Sequence, residues 1–307
     1  MVYGNAKESI VLKNKQFGGM MPAFITPFDE NGALKADSAR RLLERELAAG
    51  VQGFYVNGAT GEGLFLPEAT RRDMAETAVS VCKGRGAVIN HVGAVDPAQA
   101  VRLARHAGQI GCDAISSMVP NYVTTYTDEQ VLDYYKRLAD ASSLPVLVYC
   151  TGLLKSDPVR FMEKAMRIDG VAGLKYTMFN YYNMQRITEL NGGDINVING
   201  PDEMLVLGLL MGADGGIGST YNLMPEWFLE LYAAFRAGEI QRARDVQVRI
   251  NRVIAVLLEY GCIASIKEAF EIMGYDAGHV AYPGKTFGVD ERAAFKRDME
   301  AAGFKFE

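Results

Sequence analysis

Eight short runs of mostly apolar, β-favouring residues recur along the 307-residue chain. Most of these runs are apolar throughout and do not alternate, a pattern typical of strands that are covered on both faces in a parallel sheet. The segments between them are long enough for a strand to be followed by a crossover helix. The predicted strands lie at residues 20–25, 53–57, 87–93, 114–118, 145–149, 172–176, 196–199 and 215–219.

The segments between the strands carry helix signals. Capping residues or proline precede amphipathic stretches, and glycine follows several of them, which is the usual asymmetry of helix ends. The predicted helices begin at Asp37, Pro67, Asp96, Thr127 and Asp157, and the first three end at Gly50, Gly84 and Gly111.

Eight strands alternating with eight helices predict an α/β protein with a closed (β/α)8 TIM barrel. A doubly wound open sheet is the alternative, but no dinucleotide-binding fingerprint follows the first strand. After Gly238 no strand signal returns, and residues 239–260, 263–273 and 290–302 predict helices. We therefore divide the chain into a barrel at 1–237, which carries the active site, and a C-terminal helical region at 238–307 packed on the barrel.

The composition of the chain argues against several classes of binding partner. The net charge is -5, with 32 basic and 37 acidic residues and no basic stripe, so we expect no nucleic-acid partner. No apolar run is long enough to span a membrane, and residues 1–17 carry no secretory signal, so we expect a cytoplasmic location. Histidines are scattered, and we expect neither a metal nor another cofactor. Four cysteines match no zinc spacing and are expected to be reduced: Cys82, Cys112, Cys150 and Cys262.

Lys175 carries the strongest chemical signal, because it lies in an apolar run that predicts a buried strand. Desolvation lowers the pKa of a lysine, and the neutral amine is a nucleophile toward carbonyls. In a barrel its strand end would share the mouth with Tyr149 and with the glycine-rich loop at 58–63. Such a loop is a tight turn or a cradle for a small anion. Amine, phenol and cradle together predict a class I aldolase acting on a 2-oxo acid.

Further polar residues follow the predicted seventh and eighth strands. Asp202 and Glu203 can serve as the negative first turn of a helix, and they can also accept hydrogen bonds from a polyhydroxylated substrate. The glycines at 215–218 can be a close approach between a strand and a helix. Ser219 at their end can also line the mouth.

These segments resemble the dihydrodipicolinate synthase and N-acetylneuraminate lyase superfamily over about residues 18–300. Residues 58–63 (Gly-Ala-Thr-Gly-Glu-Gly) are similar to its carboxylate-binding motif, and residues 173–177 (Gly-Leu-Lys-Tyr-Thr) to its Schiff-base lysine segment. Residues 91–94 and 199–222 resemble the lyase branch in particular.

The resemblance implies a lyase that cleaves N-acetylneuraminate reversibly to N-acetylmannosamine and pyruvate. Lys175 would form the imine, Tyr149 would relay the proton, and Thr60 would help to hold the carboxylate. Tyr122 would reach the site of a neighbouring subunit, within a homotetramer built as a dimer of dimers. The residues implied in substrate binding are Ala59, Thr60, Gly61, Thr177, Gly200, Asp202, Glu203 and Ser219.

Three departures from the family pattern bear on the substrate. Ala59 stands where the family usually has serine or threonine, residues 150–152 (Cys-Thr-Gly) replace Asn-Ile/Val-Pro, and Val123 replaces a second tyrosine. Residues 151–155 contain no arginine, which argues against the synthase branch. Two alternatives stay open: another pyruvate-dependent aldolase or dehydratase acting on a 2-oxo-3-deoxy sugar acid, and a non-catalytic barrel that binds such acids.

Overall fold

The computed structural model describes residues 14–281 and 283–306. Most of the predicted polar segment at 1–17, and residues 282 and 307 of the predicted C-terminal region, lie outside the described residues. All eight predicted strands are present within one or a few residues of their expected bounds. They are β1 (Gly19–Pro22), β2 (Gly53–Val56), β3 (Ala87–His91), β4 (Ala114–Met118), β5 (Val146–Cys150), β6 (Val171–Tyr176), β7 (Asn196–Asn199) and β8 (Gly215–Gly218).

The strands form one parallel sheet in the order β1-β8-β7-β6-β5-β4-β3-β2. A bridge between Ala23 and Tyr55 joins the end of β1 to β2 and closes the sheet. The Phe24 N–H donates to the Tyr55 carbonyl at 2.9 Å and extends this seam. The predicted (β/α)8 TIM barrel is therefore confirmed, and the open sheet is excluded.

The five helices with predicted starts begin within one residue of them, although the first two have no side-chain cap. Asp96 accepts hydrogen bonds from the N–H groups of Ala98 and Gln99, and Thr127 forms a capping box with Gln130. The barrel helices are α1 (Ala36–Ala49), α2 (Glu68–Cys82), α3 (Pro97–Ile110), α4 (Asp128–Ala141), α5 (Pro158–Ala165), α6 (Tyr181–Thr188), α7 (Leu205–Leu210) and α8 (Pro225–Arg236).

Three further helices follow: α9 (Ile240–Tyr260), α10 (Cys262–Ile272) and α11 (Val289–Ala301). The helix α9 packs on α8 across the predicted boundary at 237–238, and α10 and α11 pack on α9. A division at this boundary stays a prediction. None of the described helices is long and apolar enough to cross a membrane.

Side chains fill the barrel interior. Buried residues from the strands meet along the axis and include Met21, Tyr55, Leu147, Tyr149 and Ile198. A second and larger core lies between the sheet and the surrounding helices. Because the interior is packed, substrate can reach the barrel only at its ends, and the strand carboxyl ends are where barrel enzymes place their chemistry.

Candidate active site

Lys175 lies near the carboxyl end of β6, directly opposite Tyr149 on β5. It is only 5% exposed, and its Nζ lies 4.4 Å from the ring centroid of Tyr149 and 4.6 Å from that of Tyr55. No hydrogen bond or ion pair holds this amine within residues 14–281 and 283–306. A buried lysine usually has an acid partner. The Lys175 amine instead contacts only aromatic rings among these residues, so it is available to bind a ligand.

The two rings beside this amine belong to a cluster of three aromatic groups from β2, β3 and β5. The Tyr149 ring meets Tyr55 edge-on at 5.9 Å and His91 edge-on at 6.2 Å. Tyr55 donates to the Ser116 hydroxyl at 3.1 Å, whereas the Tyr149 hydroxyl makes no hydrogen bond in the described part of the chain. Its phenol oxygen is therefore the one left to act on a ligand.

His91 is a neutral structural link. Its Nε2 accepts the Met118 N–H at 3.1 Å, so Nδ1 carries the proton and donates to the Asn57 carbonyl at 3.1 Å. Burial holds the pKa of His91 well below its ordinary value. Sequence reasoning gave no role to Tyr55 or His91, although residue 91 opens a stretch that resembles the lyase branch.

The loop after β2 folds as a tight turn. Asn57 and Glu62 adopt left-handed backbone angles, with φ of 61° and 55°. A Cβ at Gly63 would lie 2.0 Å from the Asn57 carbonyl oxygen, so only glycine permits this closure. The Glu62 N–H donates to the Ala59 carbonyl at 3.0 Å. The Ala59 side chain is exposed at the tip of the loop.

Thr60 connects this loop to the end of β8. Its hydroxyl lies 2.6 Å from the hydroxyl of Ser219, and Thr60 is 5% exposed. The neighbouring Gly61 carbonyl accepts the hydroxyl of Thr26 at 2.8 Å. Two residues that the sequence assigned to different tasks, carboxylate binding and sugar contact, thus share one hydrogen bond.

Asp202 is buried at the end of β7. Its Oδ2 accepts both the N–H and the hydroxyl of Thr220 at 2.7 Å. Burial raises the pKa of Asp202 to about 6, and the bonds from Thr220 partly oppose that rise. Glu203 follows in the same 3-10 turn, so both residues do form the acidic first turn that the sequence allowed. Glu203 is partly exposed.

Thr177 and Gly200 lie against each other between the ends of β6 and β7. A Cβ at residue 200 would lie 1.9 Å from the Thr177 Oγ1, so a larger residue would displace that hydroxyl. The Thr177 hydroxyl is buried and has no hydrogen-bond partner among the described residues. It is therefore a free polar group beside the mouth.

Tyr122 lies in the loop after β4 and packs partly buried against the barrel interior. Burial raises the pKa of its phenol, and the nearby Arg71 guanidinium opposes the rise. The hydroxyl is buried and unpartnered within the described chain. In this single chain, Tyr122 faces its own barrel.

The altered loop after Tyr149 is anchored by Cys150. The Cys150 carbonyl accepts the Thr177 N–H at 2.8 Å, and its Sγ lies 3.6 Å from the Met178 Sδ. Burial raises the pKa of this thiol to about 12, so it behaves as an apolar group. All four cysteines are free.

A cavity of about 860 Å³ lies at the opposite end of the barrel, lined by residues before β3 and β4 such as Lys83, Gly86 and Asp113. None of the candidate residues reaches it. We take the carboxyl-end rim as the site because the free amine, the free phenol and the unpartnered hydroxyl of Thr177 all lie there.

All of the sequence-predicted site residues therefore lie at the carboxyl ends of strands or in the loops that follow them. An amine without an ionic partner can add to a carbonyl, and a phenol at its side can exchange a proton with the adduct. Neither step requires a group that the chain does not carry.

Comparisons with known proteins agree with this geometry. The model of the Dihydrodipicolinate synthetase family matches residues 16–302. An N-acetylneuraminate lyase of Citrobacter koseri is 35% identical over 282 residues, which cover 91% of this chain and 94% of the relative. One from Escherichia coli is 36% identical over 278 residues, covering 89% and 92%. The solved Proteus mirabilis N-acetylneuraminate lyase superposes with a TM-score of 0.89 at 30% identity, covering 94% of this chain and 99% of that one.

Proposed function

The chain belongs to the Dihydrodipicolinate synthetase family, and on that premise we propose that it is a carbon–carbon lyase that cleaves N-acetylneuraminate to N-acetylmannosamine and pyruvate. The observation that carries this proposal is the Lys175 amine, which is buried, lies over the Tyr149 ring and has no ionic partner among the described residues. Relatives that share about a third of their residues with this chain carry the same activity in their names.

In the first step, the Lys175 Nζ adds to the C2 carbonyl of the open-chain sugar acid. Loss of water gives a protonated imine, which withdraws electrons from the bond between C3 and C4. The Nζ lies over the rings of Tyr149 and Tyr55 and forms no ion pair with a carboxylate of the described residues.

Cleavage requires a base at the C4 hydroxyl. We assign this role to the Tyr149 phenol, which is adjacent to the amine and makes no hydrogen bond of its own among the described residues. As the proton leaves, the C3–C4 electrons move into the imine, giving an enamine and the aldehyde of the amino sugar. Protonation of the enamine at C3 and hydrolysis then release pyruvate and free Lys175.

The carboxylate is assigned to the loop after β2. Thr60, Gly61 and the backbone at Ala59 lie in a turn whose N–H groups can meet an anion. The bond between Thr60 and Ser219 supports a shared site for the carboxylate and the first hydroxyls of the chain. The sugar end is assigned to Thr177, Gly200, Asp202, Glu203 and Ser219.

Tyr122 completes the proposed catalytic group. Its unpartnered hydroxyl supports a polar role, and contact with a neighbouring subunit's site stays a prediction. A homotetramer belongs to the same proposal, supported by exposed apolar side chains on and around α6 and α7, which need cover. They are Phe179, Tyr182, Leu207 and Leu210. Light scattering of the purified chain measures the assembly.

A cytoplasmic location is supported by the four free thiols, and cell fractionation tests it.

The function is tested by pyruvate release from N-acetylneuraminate, coupled to lactate dehydrogenase. Borohydride reduction in the presence of pyruvate should add one pyruvate-derived mass to the wild-type chain. Lys175→Ala should fold, lose turnover and lose the adduct, whereas Lys164→Ala, on the exposed face of α5, should keep both. Equal absence of the adduct in wild type and Lys175→Ala would end the imine mechanism.

A second substrate class is favoured by one observation. Ala59 supplies only a methyl group at the exposed tip of the cradle, where the family pattern has a hydroxyl. The missing hydroxyl supports a different 2-oxo-3-deoxy sugar acid as the substrate. Pyruvate release from such an acid, without release from N-acetylneuraminate, would select this second class.

A further inference from the structure

A second buried lysine lies beneath the loop after β2. Lys267 is 2% exposed and Glu62 is 4% exposed, and the Lys267 Nζ lies 2.8 Å from the Glu62 Oε1. Lys267 belongs to α10 in the C-terminal helices, whereas Glu62 belongs to the loop that also carries Thr60 and Gly61. This ion pair therefore ties the C-terminal helices directly to the proposed carboxylate cradle.

The ammonium of Lys267 is held by two backbone carbonyls in addition to Glu62. It donates to the carbonyl of Thr26 at 3.0 Å and to the carbonyl of His279, and it lies 4.0 Å from the Phe28 ring centroid. Its contact with Glu62 is thus an ion pair added to two directed hydrogen bonds. Lys175 also contacts aromatic rings, but among the described residues it has neither a carbonyl nor a carboxylate partner, which separates the structural lysine from the reactive one.

The same lysine reaches the loop by a second path. The Thr26 carbonyl accepts from Lys267, and the Thr26 hydroxyl donates to the carbonyl of Gly61 at 2.8 Å. On the other side, the Glu62 Oε2 accepts the Ala281 N–H at 2.7 Å. Two consecutive residues of the cradle, Gly61 and Glu62, are therefore held by contacts that converge on Lys267 and its surroundings.

The backbone of Glu62 needs such support. Its φ of 55° lies in the left-handed region that a residue with a Cβ rarely adopts, and such a conformation persists only where the surroundings fix it. The turn it makes determines where the N–H groups of Thr60 and Gly61 point. Loss of the Lys267 charge would leave a buried carboxylate without compensation and would free this turn to relax.

We propose that Lys267 is a positioning residue for substrate: through Glu62 and Thr26, it aims the cradle at the carboxylate of the 2-oxo acid. The proposal rests on the function proposed above. It places a determinant of 2-oxo acid affinity in the C-terminal helices, outside the barrel that carries the imine.

The test is the concentration of pyruvate that gives half-maximal borohydride trapping. Lys267→Met should raise this concentration about 10-fold or more, as expected for loss of charge-assisted contacts. The limiting yield of adduct should stay near that of wild type, because Lys175 is untouched. With N-acetylneuraminate as substrate, KM should rise by a larger factor than kcat falls. A loss of stability alone would not shift half-saturation in the folded fraction.

Lys35→Met is the matched control. Lys35 pairs with Asp276 across the same boundary between the barrel and the C-terminal helices, but both side chains are partly exposed. Its half-saturating pyruvate concentration should equal that of wild type. Glu62→Gln should raise the concentration in the same direction as Lys267→Met, since it removes the other charge.

The double variant Lys267→Met/Glu62→Gln covers the case in which the single lysine variant fails to fold, because it leaves no unpaired buried charge. Its half-saturating pyruvate concentration should be higher than that of wild type. The increase should be no larger than the sum of the increases in the two single variants. If any folded variant that lacks Lys267 has the same half-saturating pyruvate concentration as wild type, the positioning role is wrong. Absence of a pyruvate adduct in wild type would instead refute the proposed function, so the two failures are distinguishable.

Discussion

The Lys175 amine and the Tyr149 ring face each other across neighbouring strands, with Nζ 4.4 Å from the ring centroid. The two residues are register partners in the parallel sheet, so the backbone ladder and not a mobile loop sets their separation. Groups held on strands keep their geometry better than groups on loops. In the proposed mechanism, the amine and the base are therefore placed before the substrate arrives.

Tyr149→Phe is expected to separate imine formation from cleavage. Loss of the phenol hydroxyl removes the proposed base, and kcat should fall about 10²-fold or more. Pyruvate trapping should persist, because Lys175 and the ring contact remain. Steady-state turnover and the mass of the borohydride adduct measure the two effects. Tyr55→Phe is the comparison, since its hydroxyl is engaged with Ser116; a wild-type kcat in Tyr149→Phe would remove the proton-relay role.

Ala59→Ser is expected to restore the hydroxyl that the family pattern has at this position. One added hydrogen bond in the cradle should raise kcat/KM for N-acetylneuraminate about 2- to 10-fold. Ala69→Ser, on the exposed side of α2, should leave kcat/KM unchanged. A lower kcat/KM in Ala59→Ser would mean that the methyl group is fitted to another sugar acid.

The strands and the central pair of the site were predictable because their signals are local. A strand covered on both faces reads as a continuous apolar run, and Lys175 stands out inside such a run. The short α7, with the sequence Leu-Val-Leu-Gly-Leu-Leu, offers no periodicity to find. The alternation of strands and helices predicts that a helix follows β7, but the sequence does not show where this helix begins and ends.

The contacts that hold the cradle were not predictable, since they join residues distant in the chain. Nothing local links Lys267 to Glu62 or Thr26. One signal was present: Lys267 lies between Ile266 and Phe270 on the apolar face of α10, where a charge needs a partner. The sequence could therefore have marked Lys267 as buried, but only the fold identifies the carboxylate that it meets.

Protonation of Asp202 is expected to lower the activity on the acid side of its pH profile, which we call the acid limb. Burial raises the pKa of this carboxyl to about 6, so below that pH it is protonated, loses its negative charge and accepts hydrogen bonds from substrate hydroxyls more weakly. We expect kcat/KM for N-acetylneuraminate to fall severalfold between about pH 7 and about pH 5. Asp202→Asn should lower kcat/KM and flatten this limb, whereas Glu203→Gln should retain it. An unchanged inflection near pH 6 in Asp202→Asn would assign the limb to another group.

Glu46 offers a test of stability away from the site. The side chain is fully buried in α1, and neither carboxylate oxygen has a hydrogen-bond partner in the described chain. Burial raises its pKa well above the ordinary value of 4.5. The stability linked to this group is therefore full below about pH 4.5 and is lost as the pH rises through the folded-state pKa.

Glu46→Met should accordingly stabilise the fold near neutral pH by about 1–3 kcal/mol, because it removes an unsatisfied buried polar group and keeps a good helix former of similar size. Denaturant unfolding measures the gain, which should shrink as the pH falls toward 4.5. Glu259→Met, on an exposed position of α9, should change stability little at either pH. A destabilised Glu46→Met at neutral pH would mean that the carboxyl has a partner in the assembled protein, and the burial argument would then be wrong.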